Sequence, residues 1–237
     1  MELLAEFKPF LLGYKNIQFA EDNGILIAVA YPTKTHHSNK LKMYFINTNN
    51  GNLISEKEIY DNFSTSEIFA LDNLFILYGE GWINAFDAKG NLKWDRTFDK
   101  PISVFEDNES KLIYIVSKSK IFCLKKKNGR TKWIKKISDF YELNIDKMLK
   151  SVVKITVVPM GIYRLFDGSE IGVVVGQMKG TIGESNLKHQ IILLRLDKKG
   201  KFLGTVDLAV KSVVFKLISE NGTFKIITDD QVNTYSK

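Results

Sequence analysis

A hairpin signal occupies residues 83–94, which read Ile83-Asn-Ala-Phe-Asp-Ala-Lys-Gly90-Asn-Leu-Lys-Trp94. An apolar run, a polar turn ending in glycine and a second strand follow one another, and the glycine supplies the positive φ that a tight hairpin requires. The same form recurs in three other segments, at 43–54, 121–133 and 191–203. Four copies of one unit indicate a repeat architecture.

A second repeated element precedes each hairpin and consists of two strands joined by an acidic residue next to asparagine or glycine. It occurs in five copies, at 19–29, 71–77, 105–116, 166–175 and 218–227. If the strands of one unit are lettered A to D, this acidic turn joins A to B and the glycine turn joins C to D. Because Asp and Asn side chains bond their own turn backbone, we expect turn chemistry from the repeated acids Asp22, Asp72, Asp107, Asp167 and Glu220.

Five A–B turns and only four C–D turns predict a fifth unit that ends after strand C. Residues 3–7 form an otherwise unassigned strand, which we expect to fill the empty D position and close the ring, so that no sheet edge stays open. We therefore predict an all-β chain folded as a single five-bladed β-propeller of four-stranded blades over residues 1–237. The blades are placed at 16–60, 61–100, 101–140, 160–210, and 211–237 plus 1–10. The alternative has six blades, with residues 152–158 beginning the extra one.

Two hairpins carry a family resemblance. Residues 85–94 and 123–133 resemble the repeat of pyrroloquinoline-quinone-type propellers, which belong with the WD-like propellers and whose unit reads Ala, variable, Asp, two variable, Gly, then Trp. The resemblance implies that Trp94 and Trp133 dock each outer strand on its neighbour. The cofactor loops of the quinone enzymes are absent from the chain, so the resemblance implies the fold and we expect no cofactor.

Composition limits the class of protein. Of 237 residues, 44% are hydrophobic, which is ample for a packed core and excludes disorder as the main state. No apolar run is long enough to span a membrane, and the first ten residues show no secretory pattern. The single cysteine, Cys123, cannot form an internal disulfide or a multi-thiolate metal site. We therefore predict a soluble, cytoplasmic protein.

Long insertions fall on one side of the predicted blades. The A–B and C–D turns are short, whereas B–C and D–A connections contain the insertions 31–40, 139–151 and 177–188. We call the side that carries these connections the long-loop face and predict that it binds a protein partner. The candidate partner-binding residues are His36, His37, Tyr141, Met148, Lys150, Met178 and Lys188.

The insertions leave two further questions open. Residues 142–151 have an apolar stripe at helical spacing, which either covers the end of the propeller or anchors in a groove of the partner. His36, His37 and His189 all lie at long loops, but adjacent histidines rarely ligate one ion together, so we expect no metal site.

Catalytic patterns are missing. There is no Gly-x-Ser-x-Gly elbow, and Cys123 lies in a strand with alternating apolar neighbours, as a packed thiol does. We therefore predict no catalytic residues and favour a non-catalytic interaction scaffold. The alternative is an enzyme or binding module for a glycan or phosphorylated small ligand at the mouth of the central funnel, with the candidate residues Glu80, Trp82, Asp229 and Asp230.

The positive charge is local. Ten of the 34 basic residues and none of the 27 acidic residues lie between Lys111 and Lys136. A second alternative function is therefore salt-sensitive binding of nucleic acid or an anionic surface by the third blade. Its candidate residues are Lys125, Lys126, Lys127, Arg130, Lys132 and Lys136. A solvated surface that deters pairing of the outer strand would give the same pattern.

Overall fold

The five predicted units each form one antiparallel sheet in a computed structural model of the chain. The structure describes residues 14–32, 40–60, 67–71, 73–79, 81–99, 102–107, 109–141, 153–181, 188–208, 216–220, 223–227 and 232–236. Within them the strands follow one another in chain order across each sheet, so every neighbouring pair is a hairpin or its equivalent. The prediction of an all-β fold of mostly four-stranded units is confirmed.

The sheets are numbered 1 to 5 in chain order. Sheet 1 contains β1 (Tyr14–Asp22), β2 (Ile25–Pro32), β3 (Lys40–Asn47) and β4 (Leu53–Tyr60). Sheet 2 contains β5 (Glu67–Leu71), β6 (Leu74–Tyr78), β7 (Trp82–Asp87) and β8 (Leu92–Thr97). Sheet 3 contains β9 (Ile102–Asp107), β10 (Leu112–Ser117), β11 (Lys120–Lys125) and β12 (Thr131–Lys136), and the short helix α1 (Ser138–Tyr141) follows it.

Sheet 4 contains β13 (Val153–Leu165), β14 (Glu170–Thr181), β15 (Lys188–Asp197) and β16 (Phe202–Asp207), with a 3₁₀ turn at Phe166–Gly168. Sheet 5 has three strands among the described residues, β17 (Lys216–Glu220), β18 (Thr223–Ile227) and β19 (Val232–Ser236). Residues 3–7, predicted to complete it, lie outside the described part of the chain.

The four C–D hairpins repeat one another closely. In each of them the last glycine of the turn has a positive φ, at Gly51, Gly90, Gly129 and Gly200. Each also has a register shift that leaves one extra residue on the outer strand, three positions after that glycine: Ile54, Lys93, Lys132 and Leu203. A bulge at a fixed place bends the outer strand in the same way in every copy.

Two predictions about sheet 4 are wrong. Residues 153–158 pair with β14 as the first half of β13, so they do not begin the separate blade of the six-bladed alternative. Half of the insertion placed at 177–188 is likewise strand, because β14 runs to Thr181 and β15 starts at Lys188, while residues 182–187 lie outside the described part of the chain. The apolar run and the glycines near it belong to one long hairpin, which the glycine content had made look like a loop.

The chain packs as two compact units, residues 1–98 with 127–129 and residues 99–126 with 130–237. The core of the first lies between sheets 1 and 2, where the ring of Phe45 meets Phe75 edge-on at 6.1 Å and Phe86 at 6.4 Å. In the second, all six residues of β10 are buried, and apolar residues of sheets 3 and 4 form a common core. Aromatic pairs of this kind add to the stability that burial gives.

Candidate binding surfaces

Tryptophans dock the outer strands. In the first unit the indole of Trp94 lies over Gly129, where a Cβ would come within 2.7 Å of the ring. In the second unit Trp133 lies over Gly200 in the same way, at 3.0 Å, and its Nε1 donates to the carbonyl oxygen of Lys198 at 3.3 Å. The packing role that the resemblance implied for both tryptophans is confirmed. The equivalent positions in sheets 1 and 4 hold Ser55 and Gly204.

The A–B turns of the first unit are joined to each other. Asp22 Oδ2 accepts a hydrogen bond from the backbone N–H of Asn73 at 2.5 Å, and Asn23 Nδ2 donates to Asn73 Oδ1 at 2.9 Å. The expectation that Asp22 bonds its own turn therefore needs correction, because its carboxylate links two sheets. Asp72 lies outside the described residues.

An ionic network centred on one buried carboxylate joins sheets 3 and 4 in the second unit. Asp107 is 2% exposed, accepts from Ser110 Oγ at 2.5 Å and pairs with Lys198 Nζ at 2.8 Å. Lys198 also reaches Glu109, which pairs with Arg164 at 2.8 Å. Burial raises the pKa of the Asp107 carboxyl, but the hydrogen bonds from Lys198 and Ser110 outweigh it, so the net pKa lies below the usual value.

Lys126 differs from its neighbours in the predicted anion-binding set. Its side chain is only 2% exposed, and its charge acts on Glu106. Burial raises the pKa of the Glu106 carboxyl to about 7, and the attraction of Lys126 opposes part of that rise. Lys126 therefore does not present its ammonium group to solvent.

A second ionic pair lies inside sheet 4. Arg195 Nε and Nη2 donate to the two carboxylate oxygens of Glu170 at 2.7 and 2.8 Å, and the guanidinium lies 5.0 Å from the ring centre of Phe166. Glu170 is buried, and its hydrogen bonds raise the pKa of the arginine further. The bidentate pair links β14 to β15 diagonally across the sheet, since Arg195 lies opposite Gly172, two residues from Glu170.

The other residues of the predicted anion-binding set are exposed, and those of sheet 3 lie at its two ends. Lys125, Arg130 and Lys132 lie at the C–D turn end, and Lys127 belongs to the first unit. Lys136 lies at the opposite end, directly across from Lys120 on the neighbouring strand. The basic candidates therefore do not form one continuous patch along β12.

Most predicted partner-binding residues lie outside the described part of the chain: His36, His37, Met148 and Lys150. Three others are placed by their backbone. Tyr141 is the last residue of α1. Met178 pairs with His189 near the end of the hairpin that β14 and β15 form, and Lys188 begins β15 opposite Lys179. Met178 and Lys188 therefore belong to one hairpin, while Tyr141 follows the outer strand of sheet 3.

Of the four candidate residues for a small ligand, only Trp82 is described. Its indole packs within 2.8 Å of the place where a Cβ on Gly79 would be, and it borders the core shared by sheets 1 and 2. Glu80, Asp229 and Asp230 lie outside the described residues, within which no three His, Cys, Asp or Glu side chains are grouped as metal ligands would be. Burial raises the pKa of the Cys123 thiol to about 11, as for a packed cysteine.

No protein-family model matches the chain, and no curated protein does either. Solved structures do match. One is a chain in the crystal structure of a mitotic checkpoint complex, with 9% identity and a TM-score of 0.55 over 93% of this chain and 61% of that one. BamB from Moraxella catarrhalis covers 92% of this chain and 84% of its own, with 11% identity and a TM-score of 0.38. A eukaryotic initiation factor matches over 94% of this chain and 51% of its own, with 6% identity and a TM-score of 0.48.

The likeness to the checkpoint-complex chain concerns the fold alone. It agrees with an all-β fold of mostly four-stranded antiparallel sheets, as the repeated hairpins predict. This chain spans about three fifths of that neighbour and half of the initiation-factor chain. Among the described residues, no helix has the length and apolar character needed to cross a membrane.

Proposed function

We propose that the chain is a non-catalytic scaffold that binds a protein partner through the long-loop face. The observation that carries the proposal is the contrast between the two ends of each sheet. The C–D turns close within their own backbone, with bonds such as Gly51 N–H to Asn47 and Gly90 N–H to Asp87, at 2.8 and 2.9 Å. The side chains of Asp87 and Asp197 accept two further turn amides each. Turns saturated in this way have little capacity to bind anything else.

The opposite ends of the sheets carry the longer connections. Residues 33–39, 61–66, 142–152 and 182–187 connect strands there, while the sheets behind them pack around apolar cores. Variable connections held by a rigid scaffold are a common way to build a recognition surface. The checkpoint-complex neighbour was solved as part of an assembly, which supports a protein partner here. A cytoplasmic location belongs to the same proposal, and the reduced, buried thiol of Cys123 fits it.

A co-purification experiment tests the proposal. Residues 142–151 are replaced by a Gly-Ser linker, and α1 is kept because Phe140 is buried and stacks on Phe202 at 5.3 Å. A second variant replaces 182–187 in the same way. The control changes exposed turn-end residues, Lys89→Glu with Lys199→Glu, which lie at the other ends of their sheets.

We expect the partner to be lost from at least one loop variant and kept by the control. Circular dichroism and urea unfolding establish that all three proteins are folded. Equal recovery of the partner by both loop variants would overturn the proposal.

We further propose that the chain has five blades and that residues 3–7 complete the last one by pairing with β19. The test places a cysteine at Leu3, Ala5 or Phe7 and another at Thr234, in a Cys123→Ser background. Rapid disulfide formation within the monomer is expected for one pair, because strand neighbours bring Cβ atoms within disulfide reach. No intramolecular disulfide from any pair would contradict the closure.

A further inference from the structure

Four lysines are grouped at one end of sheet 3. β10 and β11 are joined by the two-residue turn Lys118-Ser119, and β12 ends with Lys135 and Lys136 at the same end of the sheet. We call Lys118, Lys120, Lys135 and Lys136 the lysine end of sheet 3. It lies at the B–C and D–A end, the end that the proposed function assigns to the partner.

Two features of the lysine end oppose the stability of the fold. Lys120 and Lys136 are direct partners across β11 and β12, and like charges in this position repel each other. Lys118 has a φ of 48°, in the left-handed region that glycine and asparagine adopt more easily. A sequence under no other constraint would place a carboxylate or an asparagine at these positions.

Sheet 3 has no acidic residue at the lysine end, and the acids of the β9–β10 turn at its other end are already paired. Strands β10 to β12 and their turns contain no acidic residue. Outer strands β4, β8 and β16 each carry at least one, so sheet 3 differs from its repeats. Glu109 pairs with Arg164 and Asp107 with Lys198. In the described part of the chain no ion pair connects the four lysines to Asp99, which precedes β9, or to Asp139, which follows β12.

An apolar side chain adjoins the charge. Ile134 is 50% exposed and lies two residues before Lys136, hence on the same side of β12, opposite Phe122 of β11. The surface therefore combines an exposed isoleucine with a pair of ammonium groups about 7 Å further along the sheet. A polar residue stands at the equivalent position of the outer strands of sheets 1, 2 and 4, namely Glu56, Asp95 and Thr205.

We propose that the lysine end of sheet 3, together with Ile134, binds an acidic segment of a protein partner. Carboxylates of that segment neutralise Lys118, Lys120 and Lys136, and an apolar side chain between them packs on Ile134. Nucleic acid fits less well, because its backbone offers no apolar group to Ile134 and because arginine, the preferred partner of phosphate and base edges, is absent from the lysine end. The inference rests on the proposed function and specifies the chemistry of the partner.

The test measures fluorescence anisotropy with two probes, the labelled peptide Glu-Asp-Glu-Leu-Glu-Asp-Glu and a labelled DNA duplex of about 20 base pairs. The variant is Lys118→Glu/Lys120→Glu/Lys136→Glu. Its control, Lys89→Glu/Lys199→Glu/Lys201→Glu, has the same change in net charge at exposed residues outside sheet 3. We expect the peptide affinity of the variant to fall about tenfold or more, and that of the control to change by less than about threefold.

Further arms separate charge from apolar contact. Peptide binding should weaken with salt, and both Ile134→Ser and a peptide with serine in place of leucine should weaken it by about threefold. Lys136→Gln should lower peptide affinity while raising the urea midpoint of the free protein, which a purely structural lysine would not do. Tighter binding of the duplex than of the peptide, or equal peptide binding by variant and control, would overturn the inference.

The proposed function fails separately. If the triple lysine variant still recovers the partner that the 142–151 replacement loses, the scaffold proposal stands and the acidic-segment inference is wrong. If both loop replacements keep the partner while the peptide binds the lysine end as expected, the long-loop assignment is wrong.

Discussion

The contact between Trp133 and Gly200 gives the sharpest test of how the sheets are joined. The indole is half-buried, its Nε1 donates to Lys198, and it lies 6.0 Å from the ring of Tyr114. A fully buried tryptophan costs about 3–5 kcal/mol when truncated to alanine, so we expect Trp133→Ala to lower the free energy of unfolding by about 2–3 kcal/mol. Gly200→Ala should cost about 2 kcal/mol, partly because its φ is +79° and partly because the new Cβ lies 3.0 Å from the indole.

The steric part of the Gly200→Ala cost should disappear when the indole is gone. The double variant is therefore expected to be about 1 kcal/mol more stable than the sum of the two single effects. Urea unfolding followed by circular dichroism measures the stability of the two single variants and the double variant. Leu203→Ala is the control, because that side chain is 42% exposed on β16, the strand that follows Gly200. Strictly additive effects, or a neutral Gly200→Ala, would show that the indole does not hold the two sheets together.

Three further predictions concern the buried ionic groups. Arg195→Met should cost about 3 kcal/mol, because it strips the buried Glu170 of both hydrogen bonds, and adding Glu170→Leu should recover most of that loss in urea unfolding. Lys198→Met should lower the free energy of unfolding by about 2 kcal/mol at neutral pH, because it leaves Asp107 without its ion pair. Folding lowers the pKa of Asp107, so the stabilisation by the pair is lost as the pH falls below about 4. The difference between the variant and the unmodified protein should therefore shrink at low pH. Glu106 should act with the opposite sign, because folding raises its pKa to about 7. The free energy of unfolding should fall as the pH rises from about 4.5 to 7. Glu106→Gln should make the free energy of unfolding less dependent on pH between pH 5 and 8.

Much of the fold could be predicted from the hairpins. Glycine at a fixed place after an apolar run determines a turn locally, so Gly51, Gly90, Gly129 and Gly200 were found without any knowledge of tertiary contacts. The length of β13 and β14 could not be predicted, because Gly176 and Gly180 looked like loop residues and only the pairing of the two strands keeps them extended. Local composition carries no information about such pairing.

The candidate surfaces were harder to predict for the same reason. Lys126 lies in a polar turn, yet it is buried and its charge acts on Glu106 of another strand. The spacing of residues along the sequence does not indicate this contact. The pairing of Lys120 with Lys136 was accessible in principle, by counting outward from the turn at Gly129, but the bulge at Lys132 shifts that count by one. The basic block was therefore recognised from composition while its division between two ends of the sheet was not.

The contact between indole and glycine has a fixed direction along the chain. The earlier sheet supplies the tryptophan, Trp94 or Trp133, and the following sheet supplies the glycine, Gly129 or Gly200. Gly204 stands at the tryptophan position of sheet 4, and no atom of the described residues lies within 4 Å of the place where its Cβ would be. Sheet 5 is held instead by the ring of Phe224 against Phe166 at 5.4 Å and by the hydroxyl of Tyr235, which donates to Leu208 at 3.3 Å. Among the described residues the apolar core that includes sheet 5 is smaller than the core of sheets 3 and 4, so the amide hydrogens of sheet 5 should exchange with deuterium earlier than those of sheets 3 and 4. Unfolding of the second unit would then start from its carboxy-terminal sheet.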